Sequence, residues 1–206
     1  MRHLLLALLA SVALCVLAPP ALAAGGRYSF AGGTPAEQAT VRAALNASSF
    51  DWNVLPQMVT VHIAAGVGSS YSTVGNVYLD ASLLDSGEFS WGVVQHEFAH
   101  QVDFMLFDAQ KRTTMNAALG GQDWCYGVPN LAHDAYGCER FASELAWAYW
   151  PSPSNSMAPQ STGGESGHMP VAQFRALLAQ LLGQPSLASA PTAVKAYQPT
   201  VKRKRK

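Results

Sequence analysis

The chain has 206 residues, 13 Lys and Arg balanced by 13 Asp and Glu, and only 13% charged residues. Soluble proteins carry roughly a quarter charged residues, so this composition fits a compact protein with a Ser-, Ala- and Gly-rich surface. The length suffices for one domain with a real core, and past the N-terminal leader no segment reaches the ~20 apolar residues of a membrane-spanning helix.

The first 23 residues read as a secretory signal peptide. Arg2 and His3 form its basic start, Leu4 to Leu17 its apolar run, and Ala21-Leu22-Ala23 its small-residue cleavage site. The apolar run ends at Pro19-Pro20 and is short for an anchor, and Cys15 leaves with it. The expected product is a soluble, secreted monomer. Residues 24–184 form its domain and 185–206 an Ala/Pro linker with a disordered basic tail. Lys202 to Lys206 are all basic, which leaves the body of the chain mildly acidic. Such a tail is either merely solvated or a contact for anionic wall or envelope polymers; no specific nucleic-acid partner is expected.

After a Gly-rich lead-in, Thr34-Pro35-Ala36-Glu37 starts a helix, with Thr as N-cap, Pro at the first position and Glu at the third. That helix runs to about Ala47. Asn46-Ala47-Ser48 is a glycosylation sequon, meaningful in a eukaryotic secretory host. Met58 to Ala64 and Val74 to Asp80 alternate in strand fashion, with Gly66 and Gly68 marking a turn between them. Ser86 is an N-cap candidate for a helix over 89–107. That helix is apolar on two sides, with Phe89, Val93 and Phe104 on one and Trp91, Val94, Phe98, Val102 and Met105 on the other, so it is expected to be buried.

Residues 108–137 read as an irregular excursion with some short helix. Glu139 to Trp150 is helical and stopped by Pro151 and Pro153. A Ser/Pro/Gly loop follows, then an amphipathic helix from Pro170 to Leu182 closed by Gly183. Cys125 and Cys138, the pair left after leader removal, are expected to form a disulfide in an oxidising compartment. A second metal site made of Cys125, His133 and Cys138 is the alternative, although that spacing matches no common pattern.

The chemistry is concentrated in His96-Glu97-Phe98-Ala99-His100. Histidines at i and i+4 lie on one helix face and can share a metal ion, while Glu97 is turned away by about 100° and can reach a water beside it. Inside a buried helix these polar groups need partners, and a metal supplies them. Zinc with an open position is the site this pattern suits, with His96 and His100 as ligands and Glu97 as general base. Asp103 and Leu106 stand where a metzincin has Gly and His. The third ligand is therefore sought on a second helix, where Glu139 and Glu144 are five residues apart and cannot both face the metal. Asp103 is either a hydrogen-bond acceptor for a ligand imidazole or a solvated helix residue.

His96-Glu97-Phe98-Ala99-His100-Gln101-Val102-Asp103 followed by Glu139-x-Phe141-Ala142 resembles the gluzincin peptidases related to anthrax lethal factor, which pair HEFxHxxD with a later ExFA helix. The resemblance spans about fifty motif-bearing residues and no partner-binding domain. It implies Glu139 as the third ligand, and a tyrosine upstream of it as oxyanion donor, a role that falls on Tyr136 with Tyr126 and His133 behind. Where the family helix has a second acid four residues after the ligand, this chain has Ser143, and the acid stands at Glu144. His62 and His168 are read as structural or exposed.

The expectation is an α+β, zincin-like fold, a small twisted sheet packed on the HExxH helix with a second ligand-bearing helix. Its expected activity is that of a zinc metalloendopeptidase acting on peptides or proteins bound along an edge strand. The rival readings are a non-catalytic zinc protein of the cell surface and a zinc hydrolase of non-peptide amides.

Overall fold

The computed structural model describes residues 26–159 and 165–188. The leader, its Cys15 and the basic tail lie outside the described residues. Among the described residues the fold is a mixed α+β one, with a small open sheet of four strands and six helices.

Strand β1 (Tyr28–Gly32) is followed by helix α1 (Pro35–Ala47), which starts as its sequence dictates. Thr34 accepts from the Glu37 N–H, and the Glu37 carboxylate accepts from the Thr34 N–H at 2.7 Å. Strands β2 (Val59–Ala64), β3 (Tyr71–Thr73) and β4 (Asn76–Asp80) complete the sheet. Its order is β1-β2-β4-β3, with β1, β2 and β4 parallel and β3 antiparallel at the edge. The first and third strands were not anticipated. Tyr28–Gly32 offers too few alternating apolar residues to register as a strand, and Tyr71–Thr73 is short and polar.

Val59, Val61 and Ile63 of β2 and Val77 and Leu79 of β4 turn one sheet face toward the helices. Against them lie Val41 and Leu45 of α1 and Val94, Phe98 and Val102 of α3 (Phe89–Leu106). Buried Gln95 ties the two helices by donating to the Ala44 carbonyl at 2.7 Å.

Ser86 does not cap α3. A short helix α2 (Ala81–Leu84), capped by Asp80, intervenes, and the Ser86 hydroxyl donates back to the Leu83 carbonyl. Helix α3 begins behind Glu88, which makes no side-chain cap. The 108–137 stretch is more regular than its composition suggests. Asp108 caps α4 (Ala109–Leu119), which ends at Gly120 in the left-handed region. Only Met115 and Leu119 of that helix are buried, so its apolar stripe is too thin to stand out.

Helix α5 (Gly137–Tyr149) starts two residues before Glu139 and packs along α3. Helix α6 (Val171–Leu182) closes at Gly183 as expected. The core does not stop at 184, however. A 3-10 turn at Pro185–Ala188 buries Leu187, whose carbonyl accepts the Tyr149 hydroxyl at 2.6 Å. That segment has core contacts that an Ala/Pro/Ser composition does not announce.

Candidate metal centre

Helix α3 passes through the middle of the protein, and its central residues from Gln95 to Asp103 are all buried. Helix α5 crosses it with Glu139 in its first turn. Gly137 lets that turn sit close, because a Cβ there would collide with Asn116 and fall 2.9 Å from the Trp124 ring. The Cys125–Cys138 disulfide, with Cα atoms 5.4 Å apart, fastens the preceding loop to the same turn. With each sulfur bonded to the other, the alternative Cys125/His133/Cys138 metal site is not formed.

Three donor atoms meet between the helices. His96 Nε2 lies 3.1 Å and His100 Nε2 3.3 Å from Glu139 Oε2, and the two imidazole nitrogens are 3.2 Å apart. All three residues are buried. Facing lone pairs at this distance repel unless a proton or cation lies between them. A tetrahedral ion with bonds of about 2.0–2.1 Å has ligand–ligand edges of roughly 3.3 Å, so the triangle has the size such an ion needs. This His-His-Glu group is therefore able to bind a metal ion.

Each donor is oriented from behind, apart from His100. His96 Nδ1 lies 3.0 Å from Ser143 Oγ, and that hydroxyl donates to Glu165 Oε2 at 2.9 Å. With Nε2 turned to the metal position, Nδ1 carries the proton and donates to Ser143. Glu165 is thus linked to His96 through Ser143. Glu139 Oε1 accepts from the Tyr126 hydroxyl at 2.8 Å, leaving Oε2 to face the histidines. Burial alone would raise the Glu139 carboxyl, but hydrogen bonds from His100 and His96 hold it well below the usual carboxylate range. Among the described residues, buried His100 Nδ1 has no hydrogen-bond partner.

Glu97, the residue after His96 on α3, is not part of this donor group. Its Oε2 accepts from the Ser72 hydroxyl of β3 at 2.8 Å. Gln101, one helical turn later, donates to the Thr73 and Asn76 carbonyls and accepts from the Gly75 N–H, so the edge strand is pinned to α3.

Glu144, the rival third ligand, points elsewhere. It is fully buried and accepts from the Met169 N–H at 3.0 Å, and burial raises its carboxyl. Asp103 does not accept from an imidazole. It takes Arg112 Nε at 2.8 Å and the Trp124 indole at 3.2 Å, holding α4 and the disulfide loop to α3.

Tyr136, the expected oxyanion donor, has its hydroxyl engaged by the protein backbone. Tyr136 is 3% exposed and its hydroxyl donates to the Val128 carbonyl, away from the donor triangle. It sits in extended backbone just before α5, and its ring packs on Tyr126 at 4.3 Å between centroids. Tyr126, at φ 57°, is the one turned toward Glu139. His133 is also closer to the site than a loop histidine would be. Its Nε2 is 3.4 Å from Glu139 Oε2, its Nδ1 pairs with Glu165, and this pairing pushes it up to about 8 against an opposing effect of burial. His62 stacks on Tyr78 on the outer face of the sheet. Ser72 and Glu165 were not anticipated. One lies in a three-residue strand and the other in a Ser/Gly-rich loop, and neither has a spacing that points to the site.

Fold and site together define a mixed α+β protein with a buried His-His-Glu group suited to a metal ion. No protein-family model matches this chain, and no curated protein or solved structure shows significant similarity to it.

Proposed function

We propose that the protein is a secreted zinc metallopeptidase with a zincin-like fold. One observation carries this reading: a metal-sized triangle of His96, His100 and Glu139, with the buried carboxylate of Glu97, the residue next to His96 on the same helix, held by Ser72 and left out of the triangle. A purely structural site has no use for that carboxylate. The resemblance of the two motif helices to gluzincins supports the same reading, and the Cys125–Cys138 disulfide suits an oxidising, extracytoplasmic compartment.

Zinc held by His96, His100 and Glu139 would supply Lewis acidity toward a peptide carbonyl and acidify a bound water. Glu97 acts as general base: it takes a proton from the attacking water and returns it to the departing amine nitrogen. Ser72 holds the carboxylate in place for both transfers. The peptide lies extended along β3, whose outer edge is unpaired among the described residues. His133, whose ring is partly exposed and whose Nε2 lies 3.4 Å from Glu139 Oε2, is a side-chain donor available to a developing oxyanion, while the Tyr126 hydroxyl proton is engaged by Glu139.

The test is cleavage of a peptide library by the zinc-loaded protein, with and without chelator, beside E97Q. Wild type should bind one zinc and cut peptides in a chelator-sensitive way, and E97Q should keep the zinc and lose cleavage. Full cleavage by E97Q, or zinc binding with no peptide cut by wild type, rejects the mechanism. The second result would favour the non-catalytic zinc protein.

A further inference from the structure

The outer face of the sheet carries three rings in one stack. His62 of β2 and Tyr78 of β4 are register partners, as are Tyr78 and Tyr71 of β3. Each pair has ring centroids 4.5 Å apart and planes within 10° of parallel. That step is close to the spacing of neighbouring strands, ~4.8 Å, so the register itself stacks the rings. The stack ends inward at Ala31, the β1 residue opposite His62. At its other end is Tyr71, 49% exposed on the last strand of the sheet. Tyr78 is its only ring partner among the described residues.

The edge strand that displays Tyr71 also reaches the metal centre. Ser72 points the other way and donates to Glu97. Side chains alternate along a strand, so one residue of β3 braces the proposed base while the next presents a ring on the opposite face. A peptide strand laid along β3 inherits this alternation. Its residue opposite Ser72 enters the cleft on the α3 side, and its residue opposite Tyr71 lies one strand step from an uncovered aromatic face.

We propose that Tyr71 is a specificity-determining residue: the bound peptide places an aromatic side chain against it, as the fourth ring of the His62–Tyr78–Tyr71 stack. This rests on the peptidase reading. The favoured aromatic residue lies next to the one that enters the cleft, or an odd number of residues from it. The stack fixes the Tyr71 ring before the peptide arrives, so little side-chain freedom is lost in forming the contact. Aromatic stacking of this kind corresponds to roughly a three- to tenfold preference.

The experiment uses the full zinc-loaded chain and a peptide series that varies one position at a time among alanine, phenylalanine and cyclohexylalanine. Cyclohexylalanine matches phenylalanine in bulk and lacks the flat π face. At one position kcat/KM should favour phenylalanine over cyclohexylalanine by that three- to tenfold factor. The ratio should collapse toward one in Y71A and Y71L and persist in Y71F. Zinc-loaded E97Q, titrated with the same peptides, reads the preference as binding without turnover. Cleavage with no such position, or with a preference that survives Y71A, overturns the inference and leaves the peptidase reading intact. A Tyr71-dependent binding preference in E97Q, with no cleavage by wild type, supports the inference and rejects the peptidase reading. Neither binding nor cleavage rejects both.

Discussion

The hydroxyl of Ser72 donates to the carboxylate of Glu97 across 2.8 Å, joining the edge strand of the sheet to the helix that carries both histidines. The same oxygen lies 2.9 Å from the Glu97 backbone carbonyl, so the contact fixes a short stretch of helix as well as a side chain. In the proposed mechanism, the strand that would receive the peptide and the carboxylate that would act as base are thereby set by one element.

S72A should therefore lower kcat more than it raises KM. A hydrogen bond to a charged group contributes about 1.5–3 kcal/mol, so a fall of roughly ten- to a hundredfold is expected. Zinc content should not change, since Ser72 touches none of the three ligands. Wild-type kcat in S72A would show that the carboxylate needs no brace.

Tyr126 acts on the ligand itself. By occupying Glu139 Oε1 it leaves Oε2 as the oxygen facing His96 and His100. Loss of such an outer hydrogen bond typically weakens metal binding by about 10–100-fold, and that loss is expected for Y126F in competition with a chromophoric chelator. Y136F removes a hydroxyl bonded to the Val128 carbonyl and should weaken the metal less. The reverse order would show that the Tyr126 hydroxyl does not orient Glu139.

What was legible in the chain follows the range of the interactions. Thr34, Pro35 and Glu37 cap a helix through contacts within four residues, and the His96–His100 spacing is a local property of one helix, so both could be read directly. Glu139 was reached through a resemblance, because nothing local separates it from Glu144. That distinction is made by the turn of α5 and by the 167–169 backbone that Glu144 serves. Ser72 and Glu165 lie 25 and 22 residues from the partners they orient. Their roles exist only once the edge strand and the late loop fold back. The tyrosine that contacts Glu139 is hidden for a related reason: Tyr136 is nearer along the chain, but the loop with left-handed residues at Tyr126 and Asn130 brings Tyr126 to the carboxylate.

The end of the core gives a stability prediction. Leu187 is 3% exposed and its carbonyl caps the buried Tyr149 hydroxyl. L187A should cost about 2–3 kcal/mol, at the lower end for a buried leucine because a short 3-10 turn can shift to fill part of the gap. Urea unfolding of L187A beside wild type measures it. An unchanged midpoint would mean that Leu187 adds nothing to the core and that the domain ends at 184.

Asp80 gives a prediction in pH. It ends β4 and caps α2, and its carboxyl is lowered from the ordinary 3.8 to about 2 by the Ser82 hydroxyl first, then by the Gly68 and Ser82 N–H groups. A carboxyl depressed in the folded state binds its proton less readily there than in the unfolded chain. Its contribution is therefore complete above 3.8 and is lost as pH falls through about 2. D80N keeps a side chain that can cap α2 and removes the charge. The stability difference between wild type and D80N should be constant from neutral pH down to about 5 and should close as pH approaches 2, while groups that titrate alike in both proteins cancel. Urea midpoints for the pair across this range test it. A gap as wide near pH 2 as at pH 7 would show that Asp80 acts through shape and not through its charge.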